Sequence, residues 1–73
     1  MKKYYEVSYS LSDGSRVYYG KIEEENGKFL ASRLFSPHKK AFNTFAYALA
    51  SFELIESLQE GYIQDFNVKV IVA

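Results

Sequence analysis

The chain has 73 residues, with nine Lys and Arg balanced by nine Asp and Glu, one His, no Cys and no Trp. That length allows one domain, residues 1–73, and a chain this short buries only about 60% of its unfolded surface. Zero Cys excludes disulfides and most structural zinc sites, so stability must come from a dense core or from a partner.

Turn signals divide the chain into five elements. Asp13-Gly14 predicts a two-residue hairpin, because a type I′ turn needs positive φ at both central residues. In that register Ser10 faces Val17, Tyr9 faces Tyr18, Val7 faces Gly20, Glu6 faces Lys21 and Tyr5 faces Ile22. Glu6 and Lys21 then form a cross-strand charge pair. Tyr5, Val7, Tyr9 and Leu11 share the core face with Tyr18 and Ile22. Gly20 falls mid-strand on that face, where a helix could approach closely. Asn26-Gly27 is a second hairpin signal and starts a third strand over about 28–35. A two-residue loop there places Phe29, Ala31, Arg33 and Phe35 inward. A loop one residue longer or shorter places Leu30, Ser32 and Leu34 inward, and this choice is preferred because it avoids burying Arg33.

Ser36-Pro37 reads as a helix start, Ser as N-cap and Pro in the first turn. The helix is expected to run to about Glu60, with Gly61 as its C′ stop. Ala41, Phe45, Ala48, Leu49, Phe52 and Ile55 form its inner stripe, with Phe42 at the edge. A last strand follows over about 66–72, where Phe66, Val68, Val70 and Val72 alternate with Asn67, Lys69 and Ile71. The expected fold is α+β in the order β-β-β-α-β. It is a four-stranded sheet, a three-strand antiparallel meander plus a parallel edge strand, with one helix packed on one face.

The chemistry-bearing residues form no recognisable set. The single His38 has no spacing partner for a metal or a triad, there is no thiol nucleophile, and no Gly-rich phosphate loop is present. A non-enzymatic protein without metal or cofactor is expected. At 48% hydrophobic and 18% aromatic the chain is not a disordered tail. Zero net charge argues against a general electrostatic grip on nucleic acid. No run approaches the roughly 20 apolar residues of a membrane span. Met1-Lys2-Lys3 is followed by Tyr4-Tyr5-Glu6 rather than an apolar run, so a cytoplasmic protein is expected.

Four features suggest surfaces that one small monomer does not use. Lys39 and Lys40 sit in the first turn of the expected helix, against its macrodipole, beside Ser36 and His38. That pole is a candidate site for an anion or nucleic acid; two solvated lysines is the plainer reading. The outer sheet face is expected to carry Tyr4, Val17, Tyr19 and Lys21, with Ile71 or Lys69. Tyr47, Ser51, Leu54 and Leu58 form a second helical stripe, away from Phe45 and Phe52. The last strand carries one Lys and no Pro, poor protection for an edge.

Together these point to a protein-binding module that self-associates as a homodimer, binds a larger protein, or both. Tyr4, Val17, Tyr19, Tyr47, Leu54, Leu58, Val70 and Ile71 are its candidate interface. A small regulator or inhibitor is the expected type, of the size class carried by phages and mobile elements. The alternative is a nucleic-acid-binding module using Ser36, His38, Lys39, Lys40 and the outer Tyr/Lys face. A small-molecule carrier needs a pocket that one helix over one sheet hardly encloses.

Overall fold

The computed structural model describes residues 3–72. Met1 and Lys2, which open the run that leads to the expectation of a cytoplasmic protein, lie outside the described residues. Five strands and two helices follow in the order β1 (Lys3–Ser10), β2 (Arg16–Glu25), β3 (Lys28–Arg33), β4 (Lys40–Phe42), α1 (Phe45–Ala50), α2 (Leu54–Gln59) and β5 (Asp65–Val72). The strands form one sheet in the order β4-β3-β2-β1-β5, and every neighbouring pair is antiparallel. The α+β class stands, but the four-stranded sheet, its parallel edge strand and the single helix do not. One short element explains the change of direction. Residues 40–42, expected as helix, instead cross back along β3 as β4, pairing Phe29 with Phe42, Leu30 with Ala41 and Ala31 with Lys40. That added traverse reverses where the helical layer begins, so the last strand returns antiparallel to β1.

The first hairpin closes through three residues rather than two. The Leu11 N–H donates to the Ser15 carbonyl and the Gly14 N–H to the Leu11 carbonyl, both at 2.9 Å. Gly14 takes φ +90°, and the Asp13 carboxylate accepts from the Ser15 N–H at 2.9 Å. This is a tight turn followed by a left-handed glycine. The extra loop residue shifts the nearby pairs to Ser8–Tyr18, Tyr9–Val17 and Ser10–Arg16. An irregularity between Val7 and Ser8 then restores the expected pairs Val7–Gly20, Glu6–Lys21 and Tyr5–Ile22. Tyr19 is the additional residue of this bulge and points into the molecule. Its ring meets Phe52 edge-on at 5.2 Å and Tyr9 at 5.8 Å, and its hydroxyl donates to the Phe52 carbonyl at 3.4 Å. Val17 and Tyr19 therefore belong to the helix-covered side rather than the outer face, and Tyr18 exchanges the other way.

In the second hairpin Asn26 and Gly27 take φ +52° and +76°, a two-residue turn, so the preferred longer or shorter loop does not form. The pairs run from Glu25–Lys28 to Gly20–Arg33. Phe29, Ala31 and Arg33 face the helices, and the preferred inward set Leu30, Ser32 and Leu34 is overturned. Arg33 tolerates this because it ends the strand: its guanidinium lies exposed over the Tyr19 ring at 5.6 Å and reaches the Ser51 carbonyl at 3.5 Å. Phe35 is not on the core face, because the chain turns at Leu34–Phe35. The close approach at Gly20 comes from β3 and not from a helix. A Cβ there would stand 2.3 Å from the Ser32 carbonyl oxygen and 3.1 Å from Arg33 Cα.

The helical layer starts at Thr44, not Ser36. Thr44 is extended and its hydroxyl accepts from the Tyr47 N–H at 3.1 Å, a side-chain N-cap with no lysines in the turn behind it. The expected single helix is broken at Glu53, whose φ is +60°. Phe52 and Leu54 are each 3% exposed. Residues two apart lie about 200° apart around a continuous helix, so both cannot face one core. The break rephases the chain and turns both inward. It also turns Ile55, expected inside, out to solvent, while Ala41 leaves the inner stripe altogether and lies exposed on β4. Gly61 ends α2 as expected: at φ +82° its N–H donates to the Leu58 carbonyl, and the Tyr62 N–H to that of Ser57. The core comprises Val7, Ile22, Ala31, Ala48, Phe52, Leu54 and Ile63, flanked by the Tyr5–Phe45 ring contact at 4.6 Å.

Gly20→Ala forces the β2–β3 backbones apart at the centre of the sheet. The expected loss of stability is about 3 kcal/mol, read as a lower urea midpoint of unfolding.

Candidate functional site

Three surfaces carry the candidate residues. The outer sheet face presents Tyr4, Glu6, Ser8, Tyr18, Lys21, Glu23, Lys69 and Ile71, as the registers require. Its charges interlock. Lys39 pairs with the Glu23 carboxylate at 3.0 Å, Lys21 approaches the same oxygen at 3.9 Å and lies 5.7 Å from the Tyr4 ring centre, and Glu6 stands opposite both Lys21 and Lys69. Burial against the sheet raises the Tyr18 phenol above its ordinary value, with the Glu6 carboxylate adding to the effect. This face is a mixed polar surface with two tyrosines, not an open aromatic platform.

The second surface is the segment from Arg33 to Lys40. No helix begins here, so the free N–H groups of a helix N-terminus do not converge on Ser36, His38, Lys39 and Lys40. Instead Ser36 accepts from the His38 backbone N–H at 3.3 Å, Lys39 is held by Glu23, and Lys40 lies 5.6 Å from the Phe42 ring centre. What the segment does display is Phe35. It is 97% exposed at φ +66°, on a turn closed by the Ser36 N–H to the Arg33 carbonyl at 3.1 Å. A left-handed, solvent-exposed phenylalanine is costly, and such strain is concentrated at functional surfaces. Open grooves of about 350 and 390 Å³ share Arg33, Ser36 and Lys39 as lining, and Phe35 borders the first. Nothing in the local sequence marks a positive φ at a Phe, so spacing arguments miss it.

The third surface is the β5 end. β5 pairs with β1 on one side, and among the described residues no strand pairs with its other edge. Val70 is 50% exposed and Val72 is exposed beside it, on the side of the sheet that carries the helices. α2 packs against β5 and leaves Ile55 and Leu58 exposed. Of the other candidates, Tyr47 is exposed on α1, Tyr4 and Ile71 are half-buried on the outer face, and Leu54 is buried as part of the core. The structure thus brings Leu58 and Val70 onto neighbouring elements and leaves Tyr4 and Ile71 on the opposite face of the sheet from Val70.

Among the described residues no three His, Cys, Asp or Glu side chains gather as metal ligands, and no helix is long and apolar enough to cross a membrane. Compared with protein-family models, curated protein sequences and solved structures, the chain matches none.

Phe35→Gly relieves the left-handed strain and is expected to raise stability by about 1 kcal/mol, net of glycine's greater unfolded-state freedom. Phe35→Ala keeps the strain and leaves stability within about 0.5 kcal/mol of the parent. Chemical denaturation of the three proteins checks the difference.

Proposed function

We propose that the chain is a non-enzymatic protein-binding module, a small cytoplasmic regulator or inhibitor that engages protein by strand addition at β5. The observation that supports this reading is the inequality of the two sheet edges. β4 spans three residues, begins with Lys40 and follows Pro37 closely, the usual means of blunting an edge. β5 spans eight residues, has one Lys and no Pro, and is bordered by Val70 and Val72. An edge of that kind offers a row of backbone donors and acceptors for an added strand, with alternate side chains supplying specificity. Ile55 and Leu58 would extend the contact onto α2 as an apolar core with a polar rim.

The test is affinity capture from the source cell's extract, with the parent and Val70→Lys as baits. Lysine on an exposed edge position opposes strand pairing and leaves the pairing with β1 intact. The expected result is a captured protein that is lost with Val70→Lys while circular dichroism shows both baits folded. Identical captures with both baits overturn the reading.

A second reading, single-stranded nucleic-acid binding, draws on one observation: Phe35 is an exposed ring near the exposed cations Arg33, Lys39 and Lys40, with His38 in the same segment. Base stacking on that ring, with cations on the phosphates, is the physics of such sites. It requires RNA or DNA binding that weakens steeply with salt and falls several-fold with Phe35→Ala. No mobility shift at low salt removes it.

A further inference from the structure

Resting on the strand-addition reading, we propose that the strand added to β5 is the β5 of a second copy, paired antiparallel about a two-fold axis through Val68. The strand's own sequence carries the argument. Phe66, Val68, Val70 and Val72 lie on the helix side of the sheet, and Asp65, Asn67, Lys69 and Ile71 on the outer side. A two-fold pairing that keeps both helical layers on one side must place a residue opposite itself. Centring on Lys69 sets two lysines directly opposite, which is unfavourable. Centring on Asn67 or Val70 reduces the overlap of the two strands to five residues. Centring on Val68 overlaps seven residues and sets the exposed Val70 of each copy across from Phe66 of the other. Each Asp65 then lies diagonally opposite Lys69 of the other copy, within reach of the long lysine side chain. The strand is electrostatically self-complementary, with one acid toward its start and one base beyond its middle. The chain as a whole carries no net charge to hold two copies apart. α2, which carries the exposed apolar residues Ile55 and Leu58, packs against β5 and so is the helix nearest the joint. The product is a continuous ten-stranded sheet, five strands from each copy, in which the long open edge is removed and only the short β4 edges remain.

The native chain has no cysteine, so single-cysteine variants report the register cleanly. Under mild oxidation Val68→Cys is expected to form a disulfide-linked dimer. Asn67→Cys and Lys69→Cys, each displaced from its own counterpart, are expected to remain monomeric, since Cα atoms more than about 7 Å apart are not bridged. Sedimentation equilibrium of the unmodified chain is expected to rise toward twice its 8.4 kDa with concentration, and Val70→Lys is expected to stay at the single-chain mass. Cross-linking as strong at residue 67 or 69 as at 68 overturns the proposed pairing. So does a single-chain mass at every concentration. If that monomer still captures a cellular protein in a Val70-dependent way, self-pairing falls and strand addition to another protein stands. If it captures nothing, both fall.

Discussion

Tyr19 reaches the helical layer only because β2 carries one residue more than β1 opposite it, and most of the tertiary structure follows from where that ring goes. Its edge rests on Phe52, its hydroxyl on the Phe52 carbonyl, and the Arg33 guanidinium over its face. Phe52 is thereby held inward at the end of the first helical segment, and the chain must break at Glu53 if Leu54 is also to be buried. Next to Tyr19, Gly20 lets the Ser32 carbonyl come closer than any side chain would permit. Bulge, glycine and helix break are three adjustments to one packing problem. A small sheet must curl around a helical layer only six residues long in each segment, and each adjustment adds local curvature.

The cost of that solution appears on the surface. The short α1 lies over β2, β3 and β4 and the short α2 packs against β5, yet they leave Val70 and Val72 on β5 and Ile55 and Leu58 on α2 exposed. At the opposite end the chain turns through a strained Phe35 before running back as β4. The two ends differ in character. One is a long edge with a single acid and a single base, suited to backbone pairing. The other is a single projecting ring among cations, held on a turn whose backbone resists a side chain. A domain this small buries a limited fraction of its apolar surface, and association is one of the few routes left to a chain without disulfides or metal.

Much of the local structure was legible in the chain. Asn26-Gly27 marked a hairpin because both residues accept positive φ, but its loop length was open and the preferred register was overturned. Gly61 specified the end of α2 for the same reason, and period-two alternation marked Phe66, Val68, Val70 and Val72 as one face of a strand. The poorly protected edge could likewise be read from β5 itself, since edge protection resides in Lys and Pro content. The candidate residues fared unevenly for an equally physical reason. Those on regular strands, Tyr4, Val70 and Ile71, lie on the faces that alternation assigned. Val17 and Tyr19 changed sides because alternation counts residues and a bulge adds one.

What the amino-acid order decided alone was the α+β class, the presence of a hairpin between β2 and β3, the helix stop and the alternation within β1 and β5. All of these depend on interactions between residues close along the chain. Only tertiary contact decided that residues 40–42 extend along β3 instead of winding into helix, since their strand conformation is stabilised by β3 partners outside the reach of any helical hydrogen bond. The same holds for the left-handed turn at Glu53, which is favoured only when Phe52 and Leu54 are buried against one sheet. It holds too for the direction of β5, which reverses once β4 is inserted into the topology.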